Sequence, residues 1–161
     1  MRHMASVVLS VGVLGTSIAS ASSMVGANIM LVDGQVVFMA ENRDQKFVVP
    51  KRVTLMGARD CVIELTPNPD IYLQFAALEP IASIDVRDFL GSCVFDDYRK
   101  SVDINKLHDV STKPLPPLVP VKSGFTRLKS VPFNYMIELG TPDSRILNRT
   151  VTDGYIYFST R

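Results

Sequence analysis

With 161 residues, 47% of them apolar and 20% charged, the chain has the length of one domain and too much apolar content for intrinsic disorder. Seventeen basic against 16 acidic residues leave a net charge of +1, and the longest basic clusters, Lys51-Arg52 and Arg99-Lys100, are only pairs. Nucleic-acid binding, which needs a clustered excess of Lys and Arg, is therefore not expected.

The first elements carry no acid at all. Residues 4–32 run without a charge, long enough to cross a bilayer, but six serines, three glycines, a threonine and an asparagine dilute them. No membrane span is expected, and no membrane partner. Two other readings remain. Residues 1–28 are an apolar N-terminal arm whose Val8, Leu9, Val11, Leu14 and Ile18 contact neighbouring subunits. Alternatively, residues 1–21 are a cleaved signal peptide: Arg2 supplies the positive start, residues 7–18 the apolar stretch, and Ala19-Ser20-Ala21 the A-x-A cleavage pattern.

In "NIMLVDGQVVFM", Asp33-Gly34 predicts a two-residue hairpin turn, because both positions tolerate positive φ and the turn's twist matches the strands. The implied pairs are Val32–Gln35, Leu31–Val36, Met30–Val37 and Ile29–Phe38. One face, with Ile29, Leu31, Val36 and Phe38, must be buried. The other, with Met30, Val32, Gln35 and Val37, is also largely apolar, so Met30 and Val32 are candidate partner contacts. Short strands follow at "KFVV" and "RVTLM". A second hairpin is predicted between "CVIELT" and "IYLQFAA", joined by Pro67-Asn68-Pro69-Asp70, whose prolines stop both strands.

Cys61 shares strand parity with Ile63 and Leu65, so it is expected to point inward, as a reduced core cysteine. A Cys61–Cys93 disulfide is the alternative and requires an oxidising compartment. "IDVRDFLG" predicts a short helix stopped by Gly91, and "CVF" and "SVDI" predict further strands. The carboxylates Asp85, Asp88, Asp96 and Asp97 are interleaved with Arg87, Arg99 and Lys100 and read as solvated charge, since no D-x-D-x-D-G calcium loop is present. With only His3 and His108, and cysteines lacking C-x-x-C spacing, no metal site is expected. His108 beside Asp109 reads as a loop histidine, because an adjacent acid rarely reaches the far ring nitrogen as a triad requires.

"KPLPPLVPVKSG" brings four prolines in seven residues and predicts an extended crossover at 113–122. Its Pro114, Pro117 and Pro120 satisfy P-x-x-P spacing and are candidate partner contacts. "FTRLKSV" places Arg127 and Lys129 on the outward side of an edge strand. "FNYMIEL" alternates, with Phe133, Tyr135, Ile137 and Leu139 on one face and Asn134, Met136 and Glu138 on the other. "NRT" at Asn148 is a glycosylation sequon, with meaning only in a eukaryotic secretory route. "YIYFST" closes the chain as an aromatic-rich strand.

About nine or ten short strands, with turn signals roughly every ten residues, predict an all-β fold: a single-domain antiparallel sandwich or jelly-roll-like barrel over 29–161. No phosphate loop, nucleophile elbow or dinucleotide fingerprint occurs, so no enzyme, cofactor or small-molecule substrate is expected. The composition fits a non-enzymatic structural subunit of a large assembly, most simply a virion protein of capsid, cement or tail type. Its partners would be protein subunits of the same assembly. The alternative is an exported periplasmic or extracellular β-sandwich that binds another envelope component.

Overall fold

The computed structural model describes residues 25–43, 48–143 and 145–161. The arm residues Val8, Leu9, Val11, Leu14 and Ile18 lie outside the described residues, as does His3. Among the described residues are nine strands: β1 (Val25–Val32), β2 (Gln35–Asn42), β3 (Val49–Met56), β4 (Val62–Leu65), β5 (Leu78–Asp85), β6 (Leu107–Ser111), β7 (Leu118–Val121), β8 (Gly124–Gly140) and β9 (Ile146–Ser159). They form two antiparallel sheets in an open, sandwich-like arrangement. The three-stranded sheet has the order β1-β2-β5. The six-stranded sheet has the order β4-β3-β8-β9-β6, with β7 paired to β8.

The β1–β2 hairpin has the predicted register at all four pairs, Val32↔Gln35, Leu31↔Val36, Met30↔Val37 and Ile29↔Phe38. Asp33 (φ 49°) and Gly34 (φ 75°) both occupy the left-handed region that this turn demands. The strand begins at Val25, so residues 25–28, which composition grouped with the arm, are its first half. Across β2 and β5 a bulge at Phe38/Met39 sets Ile81 and Ala82 side by side, and both are buried.

The spine of the larger sheet is the long β8–β9 hairpin, paired from Leu128↔Ser159 to Gly140↔Ile146. Phe133, Tyr135, Ile137 and Leu139 are buried, as their alternation predicts. They meet Ile29, Val36 and Phe38 from the smaller sheet, while helix α1 (Val86–Leu90) contributes Val86, Phe89 and Leu90 to the same core. Phe38, Phe89, Phe95, Phe133 and Tyr135 pack mainly edge to face, with ring centroids 5.0–6.5 Å apart. Gly154 lies opposite Phe133, and a Cβ there would overlap its ring. The sheets approach each other at both edges. The Asn68 amide donates to the Ile81 carbonyl at 2.8 Å, and the Thr112 hydroxyl donates to Asn28 Oδ1 at 3.2 Å.

Several local expectations are corrected. "CVIELT" does not pair with "IYLQFAA": β4 turns back on β3 through the short Gly57–Cys61 connection, where Arg59 and Asp60 take positive φ. The nearer strand wins because its loop is short, and the prolines then carry the chain away from β4. In the segment that follows, Leu73 is the anchor, fully buried and bridged to Val48 by reciprocal backbone bonds of 2.8 and 3.3 Å, while Tyr72 and Phe75 are exposed. "CVF" is not a strand but the start of a 3-10 helix, Cys93–Tyr98. Its neighbours Val94 and Phe95 are both buried, which the alternation of a strand forbids. "SVDI" is irregular, and the Asp103 carboxylate accepts from the Asn105 amide to start the 3-10 turn Ile104–Lys106. The expected helix forms at Val86–Leu90, begun by Asp85 accepting from the Arg87 amide at 2.8 Å and ended at Gly91.

Candidate protein interface

Cross-strand partners share a face, so the registers define the outer surface of the three-stranded sheet row by row. Val32 stands beside Gln35 and Asp85. Met30 stands beside Val37 and Ser83, and Asn28 beside Met39 and Pro80. Gly26 stands beside Glu41 and Leu78. The centre of this surface is apolar: Met30 and Val32 are each 42% exposed, and Val37 and Met39 are half-buried. Its rim is polar, with the Gln35 side-chain amide 3.4 Å from Asp85 at one end and the Glu41–Arg43 pair at the other, 3.7 Å apart. A groove of about 430 Å³ continues from this second end, lined among others by Asn28, Glu41, Leu78 and Lys113. An apolar centre within a polar rim is the anatomy of a protein contact surface.

The proline candidates lie elsewhere. Pro114, Pro117 and Pro120 are exposed on the segment that leaves β6 and on β7 itself. The buried Tyr157 hydroxyl pins this segment, accepting from the Leu115 amide at 2.8 Å and donating to the Lys113 carbonyl at 3.2 Å. The Pro117 carbonyl accepts from the Leu128 amide at 2.7 Å. The 113–122 region is thus a fastened crossover ending in a strand. A P-x-x-P ligand running to Pro120 would first have to leave that strand.

The remaining chemistry-bearing residues are dispersed. His108 is exposed on β6, and the Asp109 carboxylate accepts from the Val110 amide at 2.8 Å rather than orienting the imidazole. Asp97 pairs with Arg59, Asp96 pairs with Arg99 at 3.0 Å, and Asp85 caps α1. No group of three or more His, Cys, Asp or Glu able to hold a metal ion occurs among the described residues. Glu138 lies on the outer sheet face that alternation assigned it, yet it is only 1% exposed. Arg52 and Arg149, its register partners on either side, reach its carboxylate at 3.8 and 3.1 Å, and Arg52 also meets Glu64 at 3.4 Å. This row neutralises its own charge on the sheet. At Asn148 the side-chain Oδ1 accepts from the Thr150 hydroxyl at 3.1 Å.

Cys61 points inward with Ile63 and Leu65 as its parity requires, but it is not reduced: it is bonded to Cys93, with the two Cα atoms 6.0 Å apart. The bond and the Arg59–Asp97 ion pair together tie the β3–β4 turn to the 3-10 helix that closes the aromatic core.

Sequence reasoning pointed to Met30 and Val32 on this face but missed Met39, which the same hairpin register places there, and Leu78 and Pro80, which join only through the pairing of β2 with β5. It also missed Val121 and Phe125, which are exposed beside Leu118 on the β7–β8 hairpin. The signal for those was present in the short turn at Lys122-Ser123-Gly124. Comparison with known proteins finds no match to a family model, to a curated protein or to a solved structure.

Proposed function

We propose that this chain is a non-enzymatic structural subunit of a larger protein assembly, a virion component of capsid, cement or tail type, and that it meets its neighbours through the outer face of the three-stranded sheet. The observation that carries the reading is the row-by-row apolar centre Met30–Val37, Val32 and Met39 within a polar rim. Removing such a surface from water contributes roughly 25 cal/mol per Å² of apolar area buried, which favours occupancy by another protein surface. A charge at its centre would have to be desolvated on association. Met30→Asp should therefore release the chain from its assembly while leaving the fold, in which residue 30 faces outward, unchanged. Size-exclusion chromatography with light scattering reads the first effect and circular dichroism the second. A wild-type chain that stays monomeric, and whose residue 30 carries a photo-crosslinker that reacts with no protein in its native source, would overturn the reading.

The Cys61–Cys93 bond favours a second setting for the same domain. Disulfides persist in oxidising compartments, including the periplasm, the extracellular space and virion surfaces. An exported β-sandwich that has lost residues 1–21 and binds an envelope partner satisfies this directly. N-terminal sequencing of native material separates the two: Met1 supports the subunit with a retained arm, and Ser22 supports export.

A further inference from the structure

The β7–β8 hairpin combines three features. Its register pairs Leu118 with Arg127 and Pro120 with Phe125, so these four side chains share one face. That face is uncovered, Leu118 being 51% and Phe125 60% exposed, with Val121 also exposed beside the turn. Its charge is of one sign: residues 110–137 contain Lys113, Lys122, Arg127 and Lys129 and no Asp or Glu. Lys129 is engaged, donating to Ser101 Oγ at 2.8 Å, whereas Lys122 at the tip and Arg127 at the base are exposed at the two ends of the apolar face. Gly124, at φ 133°, allows the tight turn that brings the two strands together.

We infer that this hairpin is a docking element for an anionic lipid surface, lying flat with Leu118, Pro120 and Phe125 in the interface and Lys122 and Arg127 on the headgroups. Two points favour lipid over a protein partner. A face of four residues on two short strands, three of them apolar, is far smaller than the roughly 800 Å² per partner of a standard protein interface. A bilayer surface needs no matching socket, and it rewards an aromatic and aliphatic face flanked by cations, each basic residue adding attraction to anionic lipid. The inference departs from the expectation of no membrane partner, requires no membrane span, and is separate from the sheet-face reading. Met30→Asp should leave lipid binding unchanged, so the two can fail independently.

The test is co-sedimentation of the full chain with vesicles of phosphatidylcholine alone and of phosphatidylcholine containing phosphatidylserine. Binding to the anionic vesicles is expected, weakening as salt is added. Phe125→Ser should lower the partition coefficient about tenfold, and Lys122→Ala about fivefold on the anionic vesicles only. Both positions are exposed, so circular dichroism should show the fold retained. Absence of binding to anionic vesicles would overturn the inference. So would binding that Phe125→Ser leaves intact, which would place the lipid contact elsewhere in the chain. A photo-crosslinker at residue 125 that reacts with a protein rather than with lipid in native material would also overturn it, making the hairpin a protein contact.

Discussion

Reduction of Cys61–Cys93 offers the sharpest test of how the fold is held. The bond closes a loop of 32 residues in sequence separation. In the chain-entropy description, that loop restricts the unfolded state by about 12 cal/mol per K, or about 3.7 kcal/mol at 25 °C. The native contacts around it should survive reduction. The Arg59–Asp97 ion pair spans the same two segments, and the backbone at Gly57 approaches Val94 so closely that a Cβ would stand 2.8 Å from its Cα. The effect therefore falls mainly on the unfolded chain. Urea unfolding of the oxidised protein, the reduced protein and the Cys61→Ser/Cys93→Ser variant should show both altered forms destabilised by about 3–4 kcal/mol. The slope against urea should be steeper, because an uncrosslinked unfolded chain exposes more surface. At roughly 2–4 °C per kcal/mol for a chain of this size, the melting temperature should fall by about 7–15 °C. Equal urea midpoints for oxidised and reduced protein, or two titratable thiols in protein purified without reductant, would refute the reasoning.

The buried Tyr135 hydroxyl has no hydrogen-bond partner among the described residues, and desolvation pushes its pKa above the ordinary tyrosine value. Tyr135→Phe should leave stability unchanged or raise it by about 1 kcal/mol, read by urea midpoint, because it removes a buried polar group that makes no bond. Because the folded state holds this proton more tightly than the unfolded state, the contribution of Tyr135 to stability should be constant below about pH 10 and be lost as pH rises from there through the shifted value. The decline should be smaller in Tyr135→Phe. Gly154→Ala should destabilise by about 1–3 kcal/mol, since its Cβ meets the Phe133 ring inside a packed aromatic cluster; an unchanged melting temperature would show that the ring has room to move. Glu138→Gln should loosen the Arg52–Glu138–Arg149 row by less than a fully buried ion pair would suggest, because both arginines are about half exposed or more. A loss above roughly 3 kcal/mol, read by urea midpoint, would contradict that.

Local chemistry alone was enough for the β1–β2 hairpin. Asp33-Gly34 accepts the positive φ of a two-residue turn, and the turn then dictates every pair down both strands, including the outward placement of Met30 and Val32. Alternation was likewise enough for the inward face of β8 at Phe133, Tyr135, Ile137 and Leu139, because period two is a property of the extended backbone itself. Other choices depended on which distant segment arrived. β4 could have turned toward the segment after the prolines, and only its pairing with β3 decided otherwise. Val94 and Phe95 could be buried together only because Phe89 and Phe133 converge on a 3-10 turn. The sequence left Cys61 open between a reduced core residue and a bridge to Cys93, and it is the packing of the β3–β4 turn on that helix that joins them. The outer sheet face shows the same division. Half of it follows from one turn, but Leu78 and Pro80 join it through β5, whose pairing with β2 spans some forty residues of chain and is selected by burial of the common core rather than by any local signal.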